Sequence, residues 1–380
     1  MATTVQLDIK NKDLLETLRG FLTSVLKLDG IDGILVPWKL PMKNLLMPAL
    51  ITDPDRMIGA NPISPGFPMN GAKLLSRLTR KASGSKVAAV LRPCEIRAFT
   101  ELVKLKQGRI EDVVLIGIDC LGAYRNTDYF KWVNGDLDAA TQRYASAVLS
   151  GAGDVVDGFE LSPACKACEY PQAPGADILI GLFGVDTTQN ILVQARTTAG
   201  EKLTDGLGLA AAEEPASRKK AVEALIQNRA AYRDEMFEKT RESTDSLEKL
   251  TSYLASCVNC YNCRVACPVC YCRECVFVTD VFDHEPYQYI RWAEQKGAVK
   301  LPTDTVFYHV TRLAHMSTAC VGCGQCSNAC PNDIPVMELF RSIAEGTQKG
   351  FDYEAGRSID DKPPLSEFRE DEYQEVVGMD

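Results

Sequence analysis

Two cysteine runs of identical spacing constrain this chain more than any other feature. The first, CVNCYNCRVACP, carries Cys257, Cys260, Cys263, Cys267 and Pro268. The second, CVGCGQCSNACP, carries Cys320, Cys323, Cys326, Cys330 and Pro331. Three thiolates at C-x2-C-x2-C spacing on a tight turn wrap three irons of one cubane cluster. The fourth cysteine, three residues on and followed by Pro, points away and ligates the neighbouring cluster. The spacing predicts one 4Fe-4S cluster on Cys257, Cys260, Cys263 and Cys330. It predicts a second on Cys320, Cys323, Cys326 and Cys267. Structural zinc also uses C-x2-C pairs, but four ligands complete a zinc ion. Zinc leaves the second C-x2-C step and the Pro unexplained in both runs, which speaks against a colourless, zinc-bearing interaction protein.

Eleven of the 15 cysteines lie between Cys257 and Cys330; the others are Cys94, Cys120, Cys165 and Cys168. The chain thus divides into a cysteine-sparse first part and a cysteine-dense second. At 380 residues and 46% hydrophobic it can bury a sizeable core in two or three domains. A net charge of −9 argues against a general nucleic-acid binder. No apolar run reaches the roughly 18 residues of a transmembrane segment. The N-terminal stretch MATTVQLDIKNKDLLETLRG lacks the apolar core of a signal peptide. A cytoplasmic location is therefore expected, where cysteines serve as metal ligands or redox centres rather than disulfides. Only His284, His309 and His315 could supply imidazole chemistry.

Residues 1–198 read as an α/β domain. Apolar residues recur at helical spacing over 14–28, and further helices are predicted over 71–81 and 95–106. Buried strands are predicted at 31–37, 86–91, 112–118, 177–184 and 190–195. Strands alternating with helices predict a largely parallel sheet with both faces covered. Ligands in such sheets collect at the carboxyl ends of the strands. Cys94 and Cys120 each follow a strand, so both are expected at one rim, with Pro93 disfavouring a helix through Cys94. Residues 199–256 are rich in Ala, Glu, Lys and Arg and read as one or two long connecting helices with a solvated charged face. Residues 257–350 form the mostly helical, cysteine-rich domain. In 351–380, ten Asp and Glu face three Lys and Arg, so this tail is expected to be poorly ordered or wrapped on a partner.

Cys270, Cys272 and Cys275, in CPVCYCRECVF, follow the first run directly. They read either as an extra metal centre, completed by Cys267 or another cysteine, or as thiols packed beside the cubanes. The neighbouring His284 reads as structural. The 52 residues between the runs, with helices predicted over 285–297 and 304–316, make this region longer than a compact bacterial ferredoxin. Over about 257–345 it resembles the helical dicluster ferredoxin domains of heterodisulfide reductase C subunits and succinate dehydrogenase iron–sulfur subunits.

In the first part, KVAAVLRPCEIRAFTELVKLK, VVLIGIDCLG and SPACKACEYPQAPGADILIGLFG follow one another in order. Over about 15–195 this order resembles the beta subunits of deazaflavin-linked hydrogenases and formate dehydrogenases. Pro93 and Cys94, Cys120 with Gly122, Cys165 and Cys168, and Ala176, Asp177 and Ile178 with Gly181 and Gly184 match the family pattern. The resemblance implies a third 4Fe-4S cluster on Cys94, Cys120, Cys165 and Cys168, with FAD beside it. It also implies Thr52 and Asn61 as flavin neighbours, although turn residues would explain both as well. The family's Gly-rich N-terminal stretch is reduced here to Gly20. Arg92 stands where the family has Thr. A cation there either raises a cluster's potential or pairs with Glu95.

The expectation is an iron–sulfur, flavin-containing electron-transfer beta subunit of a formate dehydrogenase or hydrogenase. It would pass electrons between a partner catalytic subunit, where substrate oxidation occurs, and a soluble or protein carrier. The alternative is a flavin-free adaptor between a dehydrogenase and a heterodisulfide-reductase-like complex.

Overall fold

The computed structural model describes residues 3–41, 44–82, 84–151 and 153–366. Its strands are β1 (Thr3–Asp8), β2 (Gly33–Lys39), β3 (Leu46–Ile51), β4 (Val87–Leu91), β5 (Val113–Ile118), β6 (Val155–Val156), β7 (Phe159–Glu160), β8 (Ile178–Gly181), β9 (Asn190–Ala195) and β10 (Ala210–Ala211). Eight form one sheet in the order β10-β1-β9-β8-β5-β4-β2-β3, and β6 pairs with β7. The helices of the first part are α1 (Leu14–Leu26), α2 (Ala72–Leu78), α3 (Pro93–Lys104), α4 (Asn126–Trp132), α5 (Leu137–Leu149), α6 (Pro163–Lys166) and α7 (Thr198–Leu207). Then come α8 (Ala216–Glu242), α9 (Leu247–Tyr253), α10 (Asn262–Ala266), α11 (Pro286–Lys296), α12 (Thr305–Met316), α13 (Gln325–Asn328) and α14 (Val336–Gly350).

The sheet is mixed rather than largely parallel. Only its centre is parallel: β2 with β4, β4 with β5, and β5 with β8. The flanks are antiparallel, because β2 turns back into β3 and β8 into β9 through short connections that cannot cross the sheet. At the far edge β1 pairs antiparallel with β9 and with β10. Its sequence TTVQLD is two-thirds polar, as suits an outer strand, which is why no buried-strand pattern marks it. In β3, LMPALI, Pro48 lacks the donor of a central strand, and the strand is an edge.

Successive strand residues face opposite ways. Ile34, Val36, Ile116 and Ile118 pack with Leu15, Leu18, Leu22 and Val25 of α1 on one face. Leu35, Ala89, Leu115 and Leu179 pack with Ile96, Phe99 and Leu102 of α3 on the other. That second cluster continues through Val321, Tyr308, Leu313 and Phe340, so the α/β sheet and the cysteine-rich part share one core.

Two charged segments are less solvated than their composition suggests. In α8, Arg218, Arg229, Met236 and Phe237 are buried. Arg218 enters against Gly181 and Gly184, where an added Cβ would lie 2.8 Å from its Cζ and 2.4 Å from its Cα respectively. The two glycines of the family pattern thus admit an arginine from the helix that reads as a connector. In the tail, Tyr353 and Ala355 are buried. Tyr353 Oη donates to Glu101, and the Gly356 amide donates to Glu101 Oε1 at 2.7 Å, so the chain is strapped across α3. Residues 367–380 of the acidic tail lie outside the described residues.

Candidate iron–sulfur site

Three loops at the carboxyl ends of the strands bring four thiols together. Pro93 opens α3 as its first residue, a position where a missing N–H is no loss. The first turn of α3 therefore contains Cys94, against the expectation that Pro93 keeps a helix from it. The backbone N–H of Arg92 donates to Glu95 Oε2 at 2.8 Å, and that of Gly71 donates to Glu95 Oε1 at 2.6 Å. Cys120 follows β5 directly. Ser162 caps α6, which carries Cys165 and leads to Cys168. Cys94, Cys120, Cys165 and Cys168 line one cavity, and Cys323 of the second run lines it too. Burial pushes the Cys120 thiol up to about 11, and burial followed by the nearby Cys323 pushes Cys94 well above its ordinary value. Isolated thiols here would stay protonated; charge-compensating irons would make them ligands.

Cations surround this cavity. Arg92 is buried, with Nη2 donating to the carbonyls of Ser64 and Gly66, each at 2.8 Å. Its guanidinium lies 4.6 Å from the Phe67 ring centroid. It reaches across the loop without an ion-pair contact to Glu95, while the charges of Cys120, Glu95, Cys165 and Cys94 act on it through space. From α8, Arg229 also lines the cavity. Four thiols lining one cavity with the guanidinium groups of Arg92 and Arg229 fit a net-negative cluster.

The two ferredoxin runs share one backbone path. In the second, Gly322 and Gly324 are left-handed (φ 69° and 77°); in the first, Asn259 and Tyr261 take the same region (φ 49° and 60°). Such turns aim successive N–H groups inward, as an anion requires. Glycine is needed at 324 because an added Cβ would lie 2.4 Å from Cβ of Ala164, one residue before Cys165. The second run is thus pressed onto the cavity of the four scattered cysteines. Phe67 O accepts from Gln325 Nε2 at 2.9 Å and from Asn328 Nδ2 at 3.3 Å, which fixes this contact.

The electrostatic neighbours follow the crossed pattern. Beyond burial, Cys267 is the largest charge raising both Cys323 and Cys326, and it also raises Cys320. Cys257 is raised by burial first, then by Cys263 and Cys330. Cys260 is exposed. In α12, Arg312 Nη1 donates to Cys263 Sγ at 3.2 Å, Tyr308 Oη lies 3.3 Å from the same sulfur, and His309 Nε2 lies 3.4 Å from Cys257 Sγ. Sequence reasoning named His309 only as one of three histidines, and it missed Tyr308, Arg312 and the buried Arg218, Arg229 and Arg341, because long-range contacts leave no mark in local spacing. Among the described residues, no three His, Cys, Asp or Glu converge on a single metal ion.

The remaining candidates are not gathered into a site. Cys272 is exposed, whereas Cys270 and Cys275 are half-buried and pack beside the apolar core. Burial raises Cys270 to about 11. His284 packs its ring on Tyr289 and Trp292. Thr52 is exposed beyond β3. Asn61 is buried, but its Nδ2 donates to Thr141 Oγ1 and its Oδ1 accepts from the Ser64 amide, so its polar atoms are already used. Among the described residues, no helix is long and apolar enough to cross a membrane.

A model of the 4Fe-4S dicluster domain matches residues 253–334. The F420-dependent formate dehydrogenase subunit beta of Methanocaldococcus jannaschii is 28% identical over 320 residues, covering 78% of this chain and 80% of the relative. The F420-dependent formate dehydrogenase 1 subunit beta of Methanococcus maripaludis is 27% identical over 310 residues, covering 74% and 75%. A chain of the F420-reducing [NiFe] hydrogenase complex from Methanosarcina barkeri aligns with a TM-score of 0.44 and 16% identity, covering 65% of this chain and 94% of that one. With a matched dicluster domain and two relatives aligned over most of its length, the chain is homologous to the beta subunits of F420-dependent formate dehydrogenases and carries a C-terminal 4Fe-4S dicluster domain.

Proposed function

We propose that this subunit is a flavin-free wire of three 4Fe-4S clusters serving a partner dehydrogenase subunit. One cluster rests on Cys94, Cys120, Cys165 and Cys168. A second rests on Cys320, Cys323, Cys326 and Cys267, and a third on Cys257, Cys260, Cys263 and Cys330. The observation that carries this reading is Cys323, which lines the same cavity as the four scattered cysteines. It supports a spatial order different from the chain order: N-terminal cluster, then second-run cluster, then first-run cluster. Each cluster supplies a one-electron relay, and the chain's residues hold the thiolates, balance their charge and exclude water.

Substrate oxidation belongs to the partner subunit, as the relatives' names suggest. The exposed Cys260 marks the first-run end as a point of electron exchange with a protein or soluble carrier. Asn61 favours the flavin-free form, because its amide is bonded to Thr141 and to the Ser64 backbone. The FAD implied by the resemblance would need other residues. Cys270, Cys272 and Cys275 are read as thiols packed beside the clusters rather than as a further centre. Iron, sulfide and released-flavin analysis of anaerobically purified protein tests the proposal. About 12 irons per chain and no flavin absorbance are expected. Eight irons or stoichiometric FAD would overturn it.

A further inference from the structure

The two ferredoxin clusters do not meet equivalent surroundings. Helix α12 lays Tyr308, His309 and Arg312 against sulfurs of the first run. Arg312 is 4% exposed, and its cation is held over the Phe340 ring at 4.7 Å. Its Nη1 donates to Cys263 Sγ at 3.2 Å while Nη2 donates to the Cys263 carbonyl at 3.3 Å, a two-point grip on one residue. Tyr308 is fully buried, with Oη 3.3 Å from the same sulfur. A ligated thiolate has no proton to give, so the tyrosine must be the donor. The same reasoning makes His309 Nε2 the donor to Cys257 Sγ, which leaves Nδ1 as a buried atom without a partner. A buried, unsatisfied ring nitrogen is a cost that needs a reason.

Among the described residues, no arginine or lysine donates to a second-run sulfur as Arg312 does to Cys263. The Gly322 amide lowers the Cys320 thiol and the Gln325 amide lowers the Cys323 thiol, each against a larger rise from burial. Arg341 and Arg97 act on Cys320, and Arg312 on Cys326, through space and not by a hydrogen bond. Hydrogen bonds to cluster sulfurs and solvent exposure both set reduction potential, and charge-assisted bonds are about twice as strong as neutral ones. Cys260 also leaves the first-run cluster the more exposed of the two. All these differences favour extra negative charge on the first-run cluster.

We propose that Tyr308, His309 and Arg312 are positioning residues that raise the potential of the first-run cluster above that of the second-run cluster. An electron entering the chain then comes to rest beside the exposed Cys260. This inference rests on the cluster assignment proposed above. It gives the wire a downhill direction, from the cavity of the scattered cysteines toward the first-run surface.

Potentiometric titration of the full anaerobic chain against dithionite, read by electron paramagnetic resonance, tests it. The first-run signal is identified as the one altered by Cys260→Ser. In the wild type that signal should have the higher midpoint of the two ferredoxin clusters. Tyr308→Phe removes one hydroxyl and keeps the ring, so it should lower that midpoint and leave the other two clusters unmoved. Arg312→Met should lower it further, with Arg312→Lys between. The inference is overturned if the first-run cluster is the lower of the two in the wild type. It is equally overturned if Tyr308→Phe retains full iron and an unchanged midpoint, a result that stands even if Arg312→Met fails to fold. A Cys260→Ser protein with every signal and all iron unchanged would instead sink the cluster assignment.

Discussion

Arg218 donates two hydrogen bonds to Asp119, Nη1 to Oδ2 at 2.5 Å and Nη2 to Oδ1 at 3.1 Å, with both side chains fully buried. Asp119 also accepts the amides of Leu182 and Phe183 at 2.8 and 3.0 Å. The residue after Asp119 is Cys120. One ion pair therefore ties α8, the turn after β8 and a candidate cluster ligand into a single unit.

Breaking this pair should cost more than replacing it. Arg218→Met leaves an uncompensated buried carboxylate and should lower stability by about 3–5 kcal/mol. Adding Asp119→Asn, which can still accept both amides, should recover part of the loss. Chemical denaturation of the single and double variants measures the coupling. Additive losses would show that the pair is not a unit.

Gly184→Ala tests the same crevice from the other side. Gly184 has φ 68°, and an added Cβ would lie 2.4 Å from Cα of Arg218. The left-handed backbone alone costs about 1–2 kcal/mol for a side chain, and the backbone clash adds to it. A lowered denaturation midpoint with loss of the Cys120 cluster is expected. An unchanged midpoint would mean that α8 can retreat without penalty.

Cys94→Ser should reduce the iron content from about 12 to about 8 per chain, because a cubane missing one thiolate is lost while the other two keep their ligands. Spectra of the two ferredoxin clusters should persist. A drop to about 4 irons would mean that the second-run cluster depends on the cavity it shares through Cys323.

Cys267→Ser should empty the second-run site and spare the first, although Cys267 belongs to the first run in sequence. The electrostatic neighbours of Cys323 and Cys326 motivate this. Loss of the signal sensitive to Cys260→Ser would refute the crossing.

Tyr353→Phe should loosen the C-terminal strap. The hydroxyl lies 2.6 and 2.8 Å from the two Glu101 oxygens, and Lys104 pairs with the same carboxylate at 2.6 Å. A hydrogen bond to a charged group contributes about 1.5–3 kcal/mol. A fall of that size in unfolding free energy is expected, and faster proteolysis after residue 351 should accompany it.

Sequence by itself determined the parts that depend on neighbours in the chain. Ligand spacing in both ferredoxin runs, the helix of 14–26 and the strands at 113–118 and 190–195 are all legible, because turn geometry and side-chain periodicity act over a few residues. The order of Cys94, Cys120, Cys165 and Cys168 was legible only as a family pattern. Tertiary structure alone decided the rest. Whether a strand joins parallel or antiparallel depends on which connection can reach, and so β3, β9 and β1 made the sheet mixed. Cys323 came to the cavity of the scattered cysteines because Gly324 lets the second run approach Ala164, some 160 residues away in the chain. The charges of α8 read as solvated until Arg218 found Asp119. Arg312, Tyr308 and His309 look like an ordinary amphipathic turn, and only the packing of α12 against Cys257 and Cys263 makes them donors to sulfur. Local spacing records which atoms can bind a cluster; the surrounding charge and hydrogen bonds come from residues that only folding brings near.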